Sequence, residues 1–133
     1  MPRLRREVIH SDKAPKPIGP YSIGIRTSSL VFASGSAGVD PSTGQLVPGG
    51  IEAETRQTLE NLKSILEAGG GSLKSVVKTT VFLRDIAEFP KMNAIYREYF
   101  PVDSPARTTV QAAALPLSAA VEIDAIALTE DTP

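Results

Sequence analysis

The 133-residue chain predicts an α+β fold, a two-layer sandwich in which a mixed β-sheet carries two helices on one face. Three observations predict it. Two segments, Ile51–Ala68 and Pro90–Phe100, carry the 3.6-residue periodicity of amphipathic helices. The segments around them are short runs rich in β-branched and aromatic residues. The resulting order, βββ-α-β-α-ββ, interleaves helices with strands of one sheet.

Each element has a local reason. Glu7-Val8-Ile9-His10 reads as a short first strand. Ala14–Pro20 is proline-rich, so neither a helix nor a central strand fits there. Tyr21–Arg26 and Leu30–Ala33 read as strands joined by a turn at Thr27-Ser28-Ser29. The stretch from Gly35 to Gly50 holds five glycines and two prolines and reads as a long loop. In Ile51–Ala68, Leu59, Leu62, Ile65 and Leu66 fall on one helix face, and Glu52 and Glu54 sit where the helix dipole favours negative charge. Gly69-Gly70-Gly71 ends that helix through a left-handed cap. Val76–Leu83 (VVKTTVFL) reads as a buried strand. The second helix starts at Pro90, a favoured first-turn residue, with Met92, Ile95, Tyr96 and Tyr99 as its apolar stripe. Pro101 and Pro105 prevent its continuation. Ala106–Ala114 and Val121–Leu128 are strands around the connection 115–120. The first helix crossover is expected to make neighbouring strands parallel, and the closing pair antiparallel.

Composition excludes several function classes. With no cysteine, thiolate metal sites, Fe–S clusters, disulfides and cysteine nucleophiles are ruled out. A single histidine, His10, removes His-pair metal sites. It reads as a surface or edge-strand residue. Fourteen Lys and Arg against 15 Asp and Glu give a net charge of -1, which argues against a nucleic-acid or anionic-membrane partner. No tryptophan and few other aromatics leave no base-stacking platform. No apolar run approaches the roughly 20 residues of a membrane span. The start, MPRLRREVIHSDKAP, has arginines but no apolar core of a secretory signal. The expectation is one domain over 1–133, with 1–13 a solvated leader and first short strand, at a cytoplasmic address.

Phosphate-loop, dinucleotide-binding, zinc-protease and nucleophile-elbow motifs are absent from the chain. Ser75-Val-Val-Lys78 matches S-x-x-K, but without companion motifs it reads as chance. Lys78 reads as a core-edge lysine with a snorkelling stem. The closing strands say more. Alternation puts Arg107, Thr109 and Gln111 on one face, and Glu122 and Asp124 together on a face of the last strand. An arginine between Ala106 and Thr108, next to Pro105, has a planar fork suited to a carboxylate. The structural alternative is an Arg–Glu bridge across a hairpin. If Ala114 lies opposite Val121, however, Arg107 faces Leu128, and Glu122 faces Ala113. The two charged side chains then stand roughly 20 Å apart at about 3.3 Å per residue, so within one chain they do not meet. Across a subunit interface they could meet, which would make a shared site.

An ordered set of short motifs carries a resemblance. Ile18-Gly-Pro-Tyr-Ser22, Phe32-Ala-Ser-Gly35, Val77-Lys-Thr-Thr-Val-Phe82, Asn93-Ala-Ile-Tyr96, Pro105-Ala-Arg107 and Val121-Glu-Ile123 occur in this order over Ala14–Leu128. The chain resembles the RidA/YjgF family of imine deaminases, also labelled L-PSP endoribonucleases or translation inhibitors. The resemblance implies a chorismate-mutase-like α+β fold and a homotrimer with ligand clefts between subunits. It also implies hydrolysis of 2-aminoacrylate-type enamines or their imine tautomers to 2-oxo acids and ammonia, with no metal or organic cofactor. By the same resemblance, Arg107 grips the substrate carboxylate with help from the Thr109 backbone N–H. Glu122 orients or activates water, and Tyr21, Ser34, Gly35 and Asn93 line the cleft. The small-molecule partner is a 2-imino or 2-oxo acid.

The residues agree with that chemistry. An imine carbon is already electrophilic, so a fixed cation for the α-carboxylate and a proton acceptor for water suffice. There are departures. Ser34-Gly35-Ser36 stands where much of the family has S-G-Q, and Thr109 where many deaminating members have Cys. The first bears on substrate range and activity. The second is mild if only the backbone N–H acts. A trimeric binding module without turnover is the alternative, needing Arg107 but not Glu122. A ribonuclease is a third reading, to which the composition gives little support.

Overall fold

A computed structural model of the chain describes residues 5–130; the first four residues of the expected leader lie outside them. The elements are β1 (Glu7–Val8), β2 (Gly24–Arg26), β3 (Leu30–Ala37), α1 (Gly50–Ala68), β4 (Val76–Leu83), α2 (Phe89–Tyr99), β5 (Ala106–Gln111) and β6 (Val121–Leu128). They form one six-stranded mixed sheet in the order β1-β2-β3-β6-β4-β5. The α+β sandwich expected from the sequence is the observed fold.

The order of the closing strands differs from expectation. β5 and β6 do not form a hairpin. β6 enters between β3 and β4 and pairs antiparallel with both. β5 lies at the sheet edge, parallel to β4. Leu83 is opposite Gln111 on one side and Val121 on the other, so the segment 112–120 passes over the end of β4. The first crossover also differs: β3 and β4 are parallel but separated by β6, and the neighbouring parallel pair is β4 and β5, joined through α2. The sequence order of two strands does not reveal that a third slot, hydrogen-bonded on both edges, is open between β3 and β4. The most apolar closing strand, VEIDAIAL, takes it.

Several boundaries move: β1 keeps only Glu7–Val8, and β5 ends at Gln111 rather than Ala114, where the chain leaves the β4 ladder. β3 runs to Ala37, past the glycine that reads as the start of a loop, because its ladder with β6 resumes after a bulge between Ala33 and Ser36. Cross-strand pairing overrides the weak strand preference of Ser-Gly-Ser. β2 is shorter than expected, covering only Gly24–Arg26.

The core lies between the sheet and α1. Leu59, Leu62, Ile65 and Leu66 are all buried, packed with Val31, Val81, Ile123 and Ala125. Each such leucine contributes about 1.5–3 kcal/mol by leaving water. α1 ends in a Schellman cap: Gly71 N–H donates to Leu66 O and Gly70 N–H to Glu67 O, with Gly70 at φ 88°. A side chain at Gly70 would be strained there. α2 packs on the β4–β5 end through Met92 and Tyr96, both buried. The opposite sheet face carries Phe32, Leu128 and Val110, which are exposed. Lys78 also lies there, half-buried, its Nζ donating to Thr108 Oγ1 at 3.2 Å.

Candidate functional site

The expected site residues fall into two groups on opposite faces of the sheet. Arg107, Thr109 and Asn93 gather where β5 meets α2. Glu122, Ser34, Gly35 and Tyr21 gather at the far side of β6. Arg107 lies in the row Arg107–Thr79–Ala125, and Glu122 in the row Val110–Phe82–Glu122. They are two strands and three residues apart, on the order of 14 Å between backbones. Thr79 and Ala125 face the helices, whereas Glu122 alternates with the buried Val121 and Ile123 and so points away from them. The hairpin register assumed from the sequence is wrong, but the two side chains still do not meet within one chain.

The arginine group is built on regular structure. The Arg107 guanidinium carbon lies 4.8 Å from the Tyr96 ring centre and 5.3 Å from that of Phe89. Among the described residues no carboxylate pairs with it. Asn93 and Arg107 line a cleft of about 400 Å³ that also includes Ser104 and Arg97. Asn93 Oδ1 and Thr109 Oγ1 are buried without a hydrogen-bond partner. Such groups cost about 1–3 kcal/mol each unless something satisfies them. Ala112 N–H donates to Leu83 O, and alternation along the strand turns the N–H groups of Val110 and Thr108 toward β4 as well. The N–H groups of Arg107 and Thr109 therefore point off the open edge of the sheet. A guanidinium, free N–H groups and the unpartnered Thr109 hydroxyl can donate to a small anion; Asn93 Oδ1 can only accept, from a ligand N–H or O–H.

The glutamate group is built on loops. Glu122, half-buried, lies in a cleft of about 690 Å³ whose walls include Ile18, Tyr21, Ser34, Gly35, Pro116 and Leu117. Burial, and then the like charge of Asp124, push its carboxyl above the usual carboxylate range. Gly35 makes room for it, since a Cβ there would stand 2.6 Å from Glu122 Oε2. Ser34 does not present its hydroxyl to the cleft: its Oγ donates to Ser22 O at 2.6 Å and ties the Tyr21–Ile23 segment to β3. The Tyr21 hydroxyl accepts from Ile18 N–H at 3.3 Å and closes that loop on itself.

The sequence reading missed two features. Phe89, Asn93 and Tyr96 sit at offsets 0, 4 and 7 on one face of α2, a spacing that would have flagged an aromatic support beside Asn93. The turn Pro116–Ser118 forms part of the glutamate cleft, with Leu117 and Ser118 at φ 61° and 57°. The left-handed region costs a non-glycine residue roughly 1–2 kcal/mol. Arg84 Nη1 donating to Ser118 O, and Ala120 N–H donating to the buried Glu54 carboxylate, both at 2.8 Å, hold the turn. Pro116 marks a turn, but no glycine or asparagine marks the left-handed residues that follow it. Among the described residues no group of three or more His, Asp or Glu is placed to hold a metal ion, and no helix is long and apolar enough to cross a membrane.

Two clefts on one small α+β domain, one holding the Arg107 guanidinium and the other the Glu122 carboxyl, are of a size for small molecules. The chain belongs to the family described as Endoribonuclease L-PSP, whose profile matches residues 11–129, and its likeness to RidA/YjgF proteins is thereby established. A 2-iminobutanoate/2-iminopropanoate deaminase of Mus musculus is 48% identical over 128 residues, 96% of this chain and 95% of that protein. A RutC family protein of Pyrococcus horikoshii is 50% identical over 125 residues, 94% of this chain and 99% of its own length. Among solved structures, the Escherichia coli YjgF gene product superposes with a TM-score of 0.87 at 38% identity, covering 92% of this chain and 98% of that one. Escherichia coli TdcF with bound serine gives 0.89 at 38% identity, covering 93% and 99%.

Proposed function

We propose that this protein hydrolyses 2-imino acids, and the 2-aminoacrylate-type enamines that tautomerise to them, to 2-oxo acids and ammonia in a site shared between subunits of a homotrimer. The observation that carries the reading is the group around Arg107, a half-buried cation beside two aromatic rings with no carboxylate partner among the described residues. The relatives named as deaminases of 2-iminobutanoate and 2-iminopropanoate, and the TdcF relative with bound serine, support a ligand bearing an α-carboxylate.

In the proposed reaction Arg107 and the Thr109 N–H bind the carboxylate, which fixes the imine carbon in place. The substrate nitrogen is protonated, as the iminium. Glu122 takes a proton from water as the water oxygen bonds to that carbon, which gives a neutral carbinolamine, and returns that proton to the amine nitrogen. Glu122 then takes the hydroxyl proton as the C–N bond breaks and the carbonyl forms, and passes it to the released ammonia, so ammonium leaves and the carboxylate is restored. A carboxyl with a raised pKa is the stronger base once ionised, which suits this exchange.

The trimer is supported by the exposed apolar side chains of the sheet's open face, Phe32, Leu128 and Val110, and by the open β5 edge. Light scattering is expected to give about three times the 14.1 kDa chain mass; a 14.1 kDa particle at micromolar concentration contradicts the assembly. The activity is tested by 2-oxo acid release from enzymatically generated 2-aminoacrylate, with and without the protein. Acceleration supports hydrolysis. Binding of 2-oxo acids without acceleration identifies a binding module instead. Ribonuclease activity draws no support from the sole histidine, His10, which is exposed and lines neither cleft.

A further inference from the structure

We infer that Tyr96, locked by Thr79, is a positioning residue that holds the Arg107 guanidinium in the orientation that receives a carboxylate. The inference deepens the proposed role of Arg107 and rests on it. Four observations converge. The Arg107 guanidinium carbon is 4.8 Å from the Tyr96 ring centre, closer than to Phe89. The Tyr96 hydroxyl and Thr79 Oγ1 are 2.8 Å apart in a buried hydrogen bond. Thr79, fully buried, is the cross-strand partner of Arg107 in the β4–β5 ladder. Tyr96 also packs at 4.7 Å and 40° against Phe100, which fixes its other side.

The arrangement is a closed loop of contacts. The strand residue beside Arg107 bonds the hydroxyl of the ring, and that ring supports the Arg107 side chain. A guanidinium near aromatic faces is attracted by their quadrupoles and keeps its N–H edge available for a planar two-oxygen anion. An arginine is rich in rotamers, and ordering it in advance removes a cost that a ligand would otherwise meet. An ordinary core tyrosine needs a partner for its hydroxyl, but not a cation over its ring.

The test combines a structural readout that needs no substrate with a binding readout. In the free wild-type protein, the Arg107 Nε–Hε proton is expected to resonate upfield of exposed arginines through the ring currents. Tyr96→Leu should return it to the ordinary position. Tyr96→Phe alone leaves the Thr79 hydroxyl buried without a partner. The double variant Thr79→Val/Tyr96→Leu removes both polar ends and the ring beside Arg107, and should keep the fold. It should raise the Kd for 2-oxobutanoate about 3–30-fold, the span of a cation–π contact. It should raise KM for the imine similarly and change kcat by less than about twofold, as for a uniform binding effect. An unshifted Hε in the wild type, or an unchanged Kd in a folded double variant, overturns the inference. A shifted Hε that 2-oxobutanoate does not move at saturating concentration instead overturns the carboxylate role of Arg107, and the functional part of this inference with it.

Discussion

The two half-sites are built by opposite means. Arg107 stands on regular structure: its strand is laddered to β4, aromatic side chains of α2 support it, and the ring nearest it is tied back to the sheet. Glu122 projects into a cleft made of a bulge, a proline-rich loop and a strained turn, and no hydrogen bond orients its carboxyl among the described residues. An arginine is always charged, so only its position needs control. A carboxylate that must take and return protons needs its environment tuned, and an apolar cleft with one like charge nearby does that. Both side chains stand on paired strands; α2 aromatics then flank Arg107, whereas cleft walls and the β6 neighbour Asp124 raise the Glu122 pKa.

Variants can break that division of labour. The largest expected effect is from Glu122→Gln, which should lower kcat about 10²–10⁴-fold, the usual contribution of a general base, while 2-oxo acid binding persists in calorimetry. Loss of both together would make Glu122 a binding residue. Next, Arg107→Ala should weaken 2-oxo acid binding by about 2–5 kcal/mol, with little change in Tm because no ion pair is broken. A large fall in Tm with binding intact would assign Arg107 a structural role. Gly35→Ala places a methyl 2.6 Å from Glu122 Oε2 and should displace the carboxyl. About a tenfold loss of kcat with unchanged KM is expected from misplacing a reacting group, measured by steady-state kinetics.

The smallest effect is on pH dependence. Activity should fall as pH drops through the folded pKa of Glu122, which lies above the ordinary 4.5, and Glu122→Gln should lack that limb. Stability has the opposite sign. A group whose folded pKa is raised binds more protons folded than unfolded, so it lowers stability as pH rises from the ordinary value through the raised one. Glu122→Gln should therefore raise Tm modestly at pH 7 and not below pH 4, and a Tm that moves the other way contradicts the assigned direction.

Much of this was legible in the sequence, and the remainder failed for identifiable reasons. The helices were readable because Leu59, Leu62, Ile65 and Leu66 repeat at helical spacing, and local periodicity sets a helix. Alternation in VEIDAIAL correctly placed Glu122 and Asp124 on one face. The slot of β6 was not readable, since strand order depends on contacts between distant segments and β5 and β6 look like a hairpin when only their connection is counted. The end of β3 was misread because Ser-Gly-Ser has turn chemistry that long-range pairing overrode. In the candidate site, Arg107 and Glu122 stood out by residue type and motif, whereas Tyr96 was hidden as one more apolar position on α2, and its partner Thr79 as one more β-branched residue. The left-handed geometry of Leu117 and Ser118 carries no glycine or asparagine signal, because tertiary bonds from Arg84 and Glu54 impose it.

Subunit mixing tests the shared site most directly. Arg107→Ala and Glu122→Ala proteins, each nearly inactive alone, are co-refolded at equal ratio, with wild type refolded in parallel. If the reacting groups come from different chains, some interfaces of the mixed assemblies pair an intact Arg107 with an intact Glu122, and 2-oxo acid production should return to a measurable fraction of wild type. A mixture as inactive as its parents, beside a wild type that survives the same refolding, contradicts the shared site.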